Sequence, residues 1–294
     1  MRNAIGVDIG GTKIAIGLVQ EDGLILKKEE FTTLKNENGE KILQTITEKL
    51  PFFYDENTTG IGVGSAGQIG LSGTVLSATD TFSDWQGLPI QTWLEKATGQ
   101  RVAVVNDVQA MGLGEQFFGT GKGVNNFLCV AVGTGIGGAI IADGKLQRGH
   151  SGAAGEVGHM VLYPNGRKCP CGNQGCFEAY ASGTALEELY AETFKEVKKG
   201  QEIFKEALAN NENAAFIINQ YVENVAIGLT TLTNMFNPEK IILGGGVSGS
   251  LSPFLTDIRE QVQSNVNKIN KDVKIELSSL GGNAMIIGAA SLVL

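Results

Sequence analysis

Apolar residues recur along the chain with two periods, and the changes between them outline its elements. Residues 4–9 (AIGVDI) and 14–19 (IAIGLV) are short apolar runs separated by Gly-Gly-Thr-Lys, and LILKKEEF follows a Glu-Asp-Gly turn. This pattern predicts a three-stranded meander. From Asn38 to Leu50 the period lengthens, with Ile42, Leu43, Ile46 and Leu50 on one side of a predicted helix. TTGIGVGSAG predicts a buried strand entering a glycine loop, and RVAVVNDVQAMGLGEQFFG a strand followed by a helix. Further helices are predicted over Thr184 to Lys198, Gln201 to Ala209 and roughly Asn213 to Met235. KIILGGGVSGS predicts a strand ending in glycines, and the terminal GGNAMIIGAASLVL a glycine turn into an apolar helix.

The middle of the chain repeats its beginning. NNFLCVAVGTGIGGAIIADGKL again reads strand, glycine turn, strand, Asp-Gly turn. Ile9-Gly10-Gly11 falls on Val132-Gly133-Thr134, and Asp22-Gly23 is echoed by Asp143-Gly144. Two related α/β lobes are expected. The expected division is residues 1–117, completed by the terminal helix at about 282–294, and residues 118–294, including a Cys/His loop over 155–183.

A length of 294 residues is ample for two domains with buried cores. The 41 glycines are about twice the usual share and lie in clusters, as turns and close backbone approaches require. A formal charge of −8 argues against a nucleic-acid partner, which needs a basic face. It does not exclude a nucleotide held by backbone N–H groups and a metal ion. The N-terminus lacks the apolar segment of a signal peptide, and no apolar run approaches the roughly 18 residues that span a bilayer. The expected location is the cytoplasm, with no membrane partner and with thiols reduced.

Three glycine clusters follow apolar strands: Asp8-Ile9-Gly10-Gly11-Thr12-Lys13, Gly133-Thr134-Gly135-Ile136-Gly137-Gly138, and Gly244-Gly245-Gly246-Val247. Each could be an ordinary hairpin turn. Each could equally let main-chain N–H groups converge on phosphate oxygens. GTGIGG is no dinucleotide fingerprint, because the segment after it reads as a strand where the fingerprint needs a helix. Asp8 is a candidate Mg²⁺ ligand, directly or through water, and Thr12 and Thr134 are candidate phosphate donors. Asn106-Asp107 stands where an apolar strand gives way to a helix, the edge at which α/β proteins bind ligands. Asp107 reads either as the helix N-cap or as a general base for a hydroxyl proton.

Together, DIGGTK, Asn106-Asp107, GTGIGG, the E-x-x-H of Glu156 to His159, and C-x-C-G-x-x-G-C-x-E from Cys169 to Glu178 resemble the ROK family of bacterial sugar kinases and related repressors. The resemblance runs in order along essentially the whole chain. It implies two ribonuclease H-like lobes of actin/hexokinase type, with nucleotide and sugar in a cleft between them, and a homodimer. It implies that ATP phosphates meet Asp8, Gly10, Gly11, Thr12 and Lys13 on one side and Gly133, Thr134, Gly135, Gly137 and Gly138 on the other. Gly245 and Gly246 would lie near the adenosine. Asp107 would be the catalytic base. Gly67, Asn106, Asp107, Glu156, His159 and Glu178 would meet a hexose phosphorylated on its C6 hydroxyl, glucose first and N-acetylmannosamine or another hexosamine next. Family repressors carry an added N-terminal helix-turn-helix, for which a first strand starting by residue 4 leaves no room. Gly64 to Gly67 and Thr79 to Trp85 depart from the family pattern where sugar identity would be read. Trp85 itself reads as a surface-loop anchor, and His150 and Cys129 are given no role.

His159, Cys169, Cys171 and Cys176 form a Cys₃His set. A disulfide would leave an odd cysteine, and a catalytic zinc would need an open position. A closed, structural Zn²⁺ is the expectation. One imidazole nitrogen on the metal would leave the other free for a sugar hydroxyl.

Overall fold

The structure is a computed structural model that describes residues 1–33, 38–78 and 82–294. Its contacts divide the chain into two compact units. The first comprises residues 1–125, 139–155 and 278–294, and the second residues 126–138 and 156–277. Residues 139–155 thus pack in the first unit, although their place in the sequence puts them after the second lobe begins.

The first unit is built on β1 (Asn3–Ile9), β2 (Lys13–Gln20), β3 (Ile25–Thr32), α1 (Gly39–Lys49), β4 (Thr58–Ser65), a short hairpin of β5 (Gln68–Ile69) and β6 (Val75–Ser77), α2 (Ile90–Thr98), β7 (Val102–Asn106) and α3 (Asp107–Phe118). The sheet order is β3-β2-β1-β4-β7, with the first three strands antiparallel and β4 and β7 parallel to β1. Alternation along β1 sends Ile5, Val7 and Ile9 into one core with Ile42, Leu43 and Ile46 of α1 and Leu94 of α2. Trp85 belongs to that core at 1% exposure, so it is no surface anchor. The ring is edge-on to Phe82, and its Nε1 donates to the Ala66 carbonyl at 3.2 Å. Its neighbours Thr79, Asp80 and Thr81, part of the segment that departs from the family pattern, lie outside the described residues.

The second sheet repeats the order of the first as β10-β9-β8-β11-β12. It comprises β8 (Phe127–Val132), β9 (Ile136–Ala142), β10 (Lys145–Leu146), β11 (Lys240–Gly244) and β12 (Lys274–Leu277), with β11 parallel to both β8 and β12. The helices of this part are α4 (Glu178–Ala181), α5 (Gly183–Phe194), α6 (Gly200–Leu208), α7 (Glu212–Phe236), α8 (Ser248–Leu251) and α9 (Leu255–Asn265). Helix α7 buries Ile217, Ile218, Tyr221, Val222, Val225, Leu229 and Leu232 at helical spacing. Helix α5 stops at Phe194, four residues before the predicted end, because Lys195 turns left-handed with φ of 56°. The pattern did not anticipate α2, α9 or β12.

The last helix, α10 (Ala284–Ser291), returns to the first unit and packs on β1 and α3. Small residues permit the approach: a Cβ on Gly62 would lie 1.7 Å from the Ala289 carbonyl oxygen, and one on Gly288 1.7 Å from that of Ala110. Asp8 falls on the opposite face of β1 from Ile5, Val7 and Ile9, the face it shares with Ala4 and Gly6. Among the described residues, no helix is long and apolar enough to cross a membrane.

Candidate active site and metal centre

Asp107 opens α3 directly after the last residue of β7. The N-cap is Asn106, not Asp107: its Oδ1 accepts from the backbone N–H groups of Val108 (2.9 Å) and Gln109 (3.2 Å). Asp107 is therefore relieved of the capping role, and its Oδ1 accepts the adjacent Val108 N–H at 2.9 Å. The Asn106 amide also donates to the Gly67 carbonyl at 3.0 Å. Gly67 has φ of 95°, and a Cβ there would lie 2.8 Å from the Ser77 carbonyl, so glycine is required at this turn. Asn106 and Gly67, both named from the sequence as sugar contacts, thus hold each other.

Asp8 lies at the carboxyl end of β1, 8% exposed, and its Oδ1 is buried without a hydrogen-bond partner. Burial, then the negative charge of Asp107, push its carboxyl up to about 7, against the opposing pull of Lys13 and Lys28. A buried acceptor oxygen beside a second carboxylate suits a hydrated divalent cation, so the residues present fit a Mg²⁺ site. The turn at Gly10 to Thr12 is closed by a bond from the Gly10 N–H to the Lys13 carbonyl (3.0 Å). Thr12 and Lys13 are exposed at this turn, and the Lys13 ammonium pairs with Glu30 at 3.1 Å.

In the second unit the glycine turn after β8 is shorter than the sequence suggests. Gly137 and Gly138 lie inside β9 and Gly138 is buried, so only Gly133 to Gly135 form the turn, with Thr134 exposed. Gly135 has a specific reason to be glycine: a Cβ would lie 2.2 Å from Glu178 Oε2, which accepts the Ile136 N–H at 2.8 Å. The Gly183 N–H, at the start of α5, donates to the Gly133 carbonyl at 2.7 Å. Gly245, with φ of 84°, passes so close to the end of β8 that a Cβ would lie 2.4 Å from the Val132 carbonyl. The two glycine turns and the N-terminus of α5 are therefore gathered in one place.

His159, Cys169, Cys171 and Cys176 bring their ligand atoms within 4.8 Å of one another. Cys171 Sγ lies 3.7 Å from Cys176 Sγ, and Cys169 Sγ lies 3.7 Å from His159 Nδ1. Tetrahedral ligands at about 2.0–2.3 Å from zinc stand roughly 3.3–3.8 Å apart, so the set fits such an ion. The turn is shaped by Gly172 (φ 93°) and Gly175 (φ 80°) and by a bond from the Cys169 N–H to the Asn173 carbonyl (2.9 Å). Burial pushes the Cys169 thiol up to about 12, so a bound cation is what would make it a thiolate. The other imidazole nitrogen, Nε2, lies 3.7 Å from Glu156 Oε2. Glu178 is the first residue of α4, and its Oε1 receives the Cys169 thiol at 3.8 Å. Glu156, His159 and Glu178 are thus collected around the Cys₃His turn, with Glu178 also joined to the Gly135 loop.

Sequence reasoning missed the role of Trp85 and overlooked Gln109, which is 1% exposed on the same turn of α3 as Asp107. The one available signal for Gln109 was a long polar residue inside the otherwise apolar run that follows Asp107.

A family model described as the ROK family matches residues 4–294. The chain is 34% identical to a glucokinase of Thermotoga maritima, covering 98% of this chain and 96% of that one. It is 35% identical to an N-acetylmannosamine kinase of Vibrio cholerae, covering 88% of this chain and 89% of that one. Among solved structures, a ROK family glucokinase from Streptomyces griseus in complex with glucose and AMPPNP matches with a TM-score of 0.87 at 34% identity, over 99% of both chains. Fold, sites and relatives together define the class: an ATP-dependent phosphotransferase with a sugar alcohol group as acceptor. Within that class, the chain belongs to the ROK family.

Proposed function

We propose that the protein transfers the terminal phosphoryl group of ATP to the C6 hydroxyl of a hexose, with glucose as the preferred acceptor. The observation that carries this reading is Asp107 on the first turn of α3, freed from capping by Asn106 and beside the buried Asp8. In this reading Asp107 accepts the proton of the attacking hydroxyl, and Asn106 keeps the turn beneath it rigid. The main-chain donors of the Gly10–Thr12 and Gly133–Gly135 turns hold the phosphates, with Thr12, Thr134 and Lys13 adding donors and charge. Asp8 would hold Mg²⁺, which supplies charge neutralisation on the terminal phosphates. Glu156, His159 and Glu178 orient sugar hydroxyls, and a structural Zn²⁺ on His159, Cys169, Cys171 and Cys176 fixes the loop that presents them.

The 34% identity to a glucokinase over nearly the whole chain supports glucose. N-acetylmannosamine is the second reading, supported by the 35% identity to an N-acetylmannosamine kinase. A coupled ATP-consumption assay decides between them, run with glucose, N-acetylmannosamine, N-acetylglucosamine, mannose and fructose. The expected result is the highest kcat/KM on glucose. A preference of more than tenfold for N-acetylmannosamine would replace the first reading with the second, and ATP consumption indifferent to every sugar would remove both.

A further inference from the structure

The segment that leads into Glu156 is Arg148-Gly149-His150-Ser151-Gly152-Ala153-Ala154-Gly155. Gly149, Gly152 and Gly155 have φ of 70°, 103° and 99°, so the backbone has little intrinsic preference for the path it takes. A bond from the Ala154 N–H to the Arg148 carbonyl at 3.1 Å closes it internally. Two side chains tie it to the rest of the first unit. The Arg148 guanidinium anchors the entry by donating from Nη2 to the Gly70 and Val104 carbonyls, at 3.2 and 3.3 Å. Gln109 anchors the exit: its Nε2 donates to the Gly152 carbonyl at 3.0 Å and to the Ala154 carbonyl at 3.1 Å.

Both N–H groups of that amide are thus committed to this one segment, and the side chain is 1% exposed. The same helical turn carries Asn106, which holds Gly67, and Asp107 between them in sequence. A glutamine that only stabilised α3 would have no reason to gather two carbonyls from a distant, glycine-rich stretch. One chain bond beyond Gly155 stands Glu156, whose carboxylate faces His159 Nε2.

We propose that Gln109 is a positioning residue for sugar recognition: it sets the path of residues 152–155 and thereby the placement of Glu156. The inference rests on the reading of the chain as a hexose kinase in which Asp107 is the base and Glu156 a sugar contact. Removing the two donors leaves the buried Gly152 carbonyl and the partly buried Ala154 carbonyl without this partner and releases a stretch that glycines do not hold. The sugar then meets a mobile Glu156, while the phosphate-binding turns, which Gln109 does not touch, are unchanged.

The test is steady-state kinetics of the full-length protein with glucose and ATP varied separately, together with thermal melts. Gln109→Leu, close in shape and without donors, is expected to raise the sugar KM by tenfold or more. Its ATP KM should stay within twofold, and kcat should fall by less than the sugar KM rises. Gln109→Glu points a carboxylate at the same two carbonyls, so its sugar KM should be worse at pH 8 than at pH 6, where protonation restores one donor. Gln116→Leu is the control, since Gln116 makes a comparable bond from the same helix to the Gly144 carbonyl at 2.6 Å. It should lower the melting temperature and leave the sugar KM unchanged. Should Gln109→Leu fold too poorly to assay, Gln109→Glu alone carries the test through its pH-dependent sugar KM. An active wild-type enzyme whose Gln109 variants lose only thermal stability, or lose sugar and ATP affinity equally, overturns the inference. A wild-type enzyme that phosphorylates no hexose overturns the reading beneath it instead.

Discussion

Asp107 and Asn106 show why neighbouring polar residues at a strand end do different work. An amide accepts and donates at once, so Asn106 can cap α3 through Oδ1 while Nδ2 holds the Gly67 carbonyl. An ionised carboxylate only accepts, which leaves Asp107 suited to taking a proton. Asp107→Asn preserves size and removes the proposed base, so kcat should fall by about 10²–10⁴, the usual worth of a positioned general base. ATP binding, read by equilibrium titration, should change little; an unchanged kcat would remove Asp107 from the mechanism. Both residues were legible in VVNDVQA as candidates. Which of them caps the helix was not, because Asn and Asp are nearly equal N-caps and only the folded turn distinguishes them.

The Cys₃His turn and α10 depend on close approach, of ligands in one case and of backbone in the other. Four ligand atoms lie within 4.8 Å of one another, and an ion bound to them would tie the turn together. Removing the metal with a strong chelator, or replacing Cys176 by Ser, should therefore lower the melting temperature by several degrees. The sugar KM should rise in parallel, since His159 and Glu178 belong to the same turn. Loss of the bound metal, measured by atomic absorption, with both quantities unchanged would separate the metal from recognition. The terminal helix makes the complementary case. Ala in place of Gly62 sets a methyl 1.7 Å from the Ala289 carbonyl, and α10 must move. The expected cost is about 1–3 kcal/mol, typical of overpacking, and is checked by denaturant unfolding. The ligand spacing was visible in the sequence because it is local, whereas the need for Gly62 depends on a helix more than 200 residues away, beyond any pattern of neighbours.

Stability of the whole fold carries the signature of Asp8. Its carboxyl stands near 7 in the folded chain against an ordinary 3.8, with burial the main cause and Asp107 the next. The folded state therefore holds a proton that the unfolded state releases at lower pH. This contribution is fully present below about pH 4 and is lost as pH rises through about 7, amounting to roughly 4 kcal/mol at most. The metal-free protein should accordingly lose stability between about pH 4 and pH 7 in denaturant melts, and Asp8→Asn should flatten that slope. A slope unaffected by the substitution would assign it to other groups. Shifts of this kind cluster at functional sites, and Asp8 Oδ1 is buried without a hydrogen-bond partner.

The sequence by itself determined most of the strands, most of the longer helices, the glycine turns, the repeat that became two sheets of the same order, and the Cys₃His set. These follow from period, turn chemistry and ligand spacing, which act between residues close along the chain. Tertiary structure decided that Trp85 is core rather than surface, that the glycine turn after β8 ends at Gly135, that Gly67 is held by Asn106, and that Gln109 holds the Gly152 and Ala154 carbonyls. Each of these depends on which distant carbonyl or side chain arrives at hydrogen-bonding distance. Burial and long-range pairing are properties of the assembled sheet and helices, and no local pattern of letters records them.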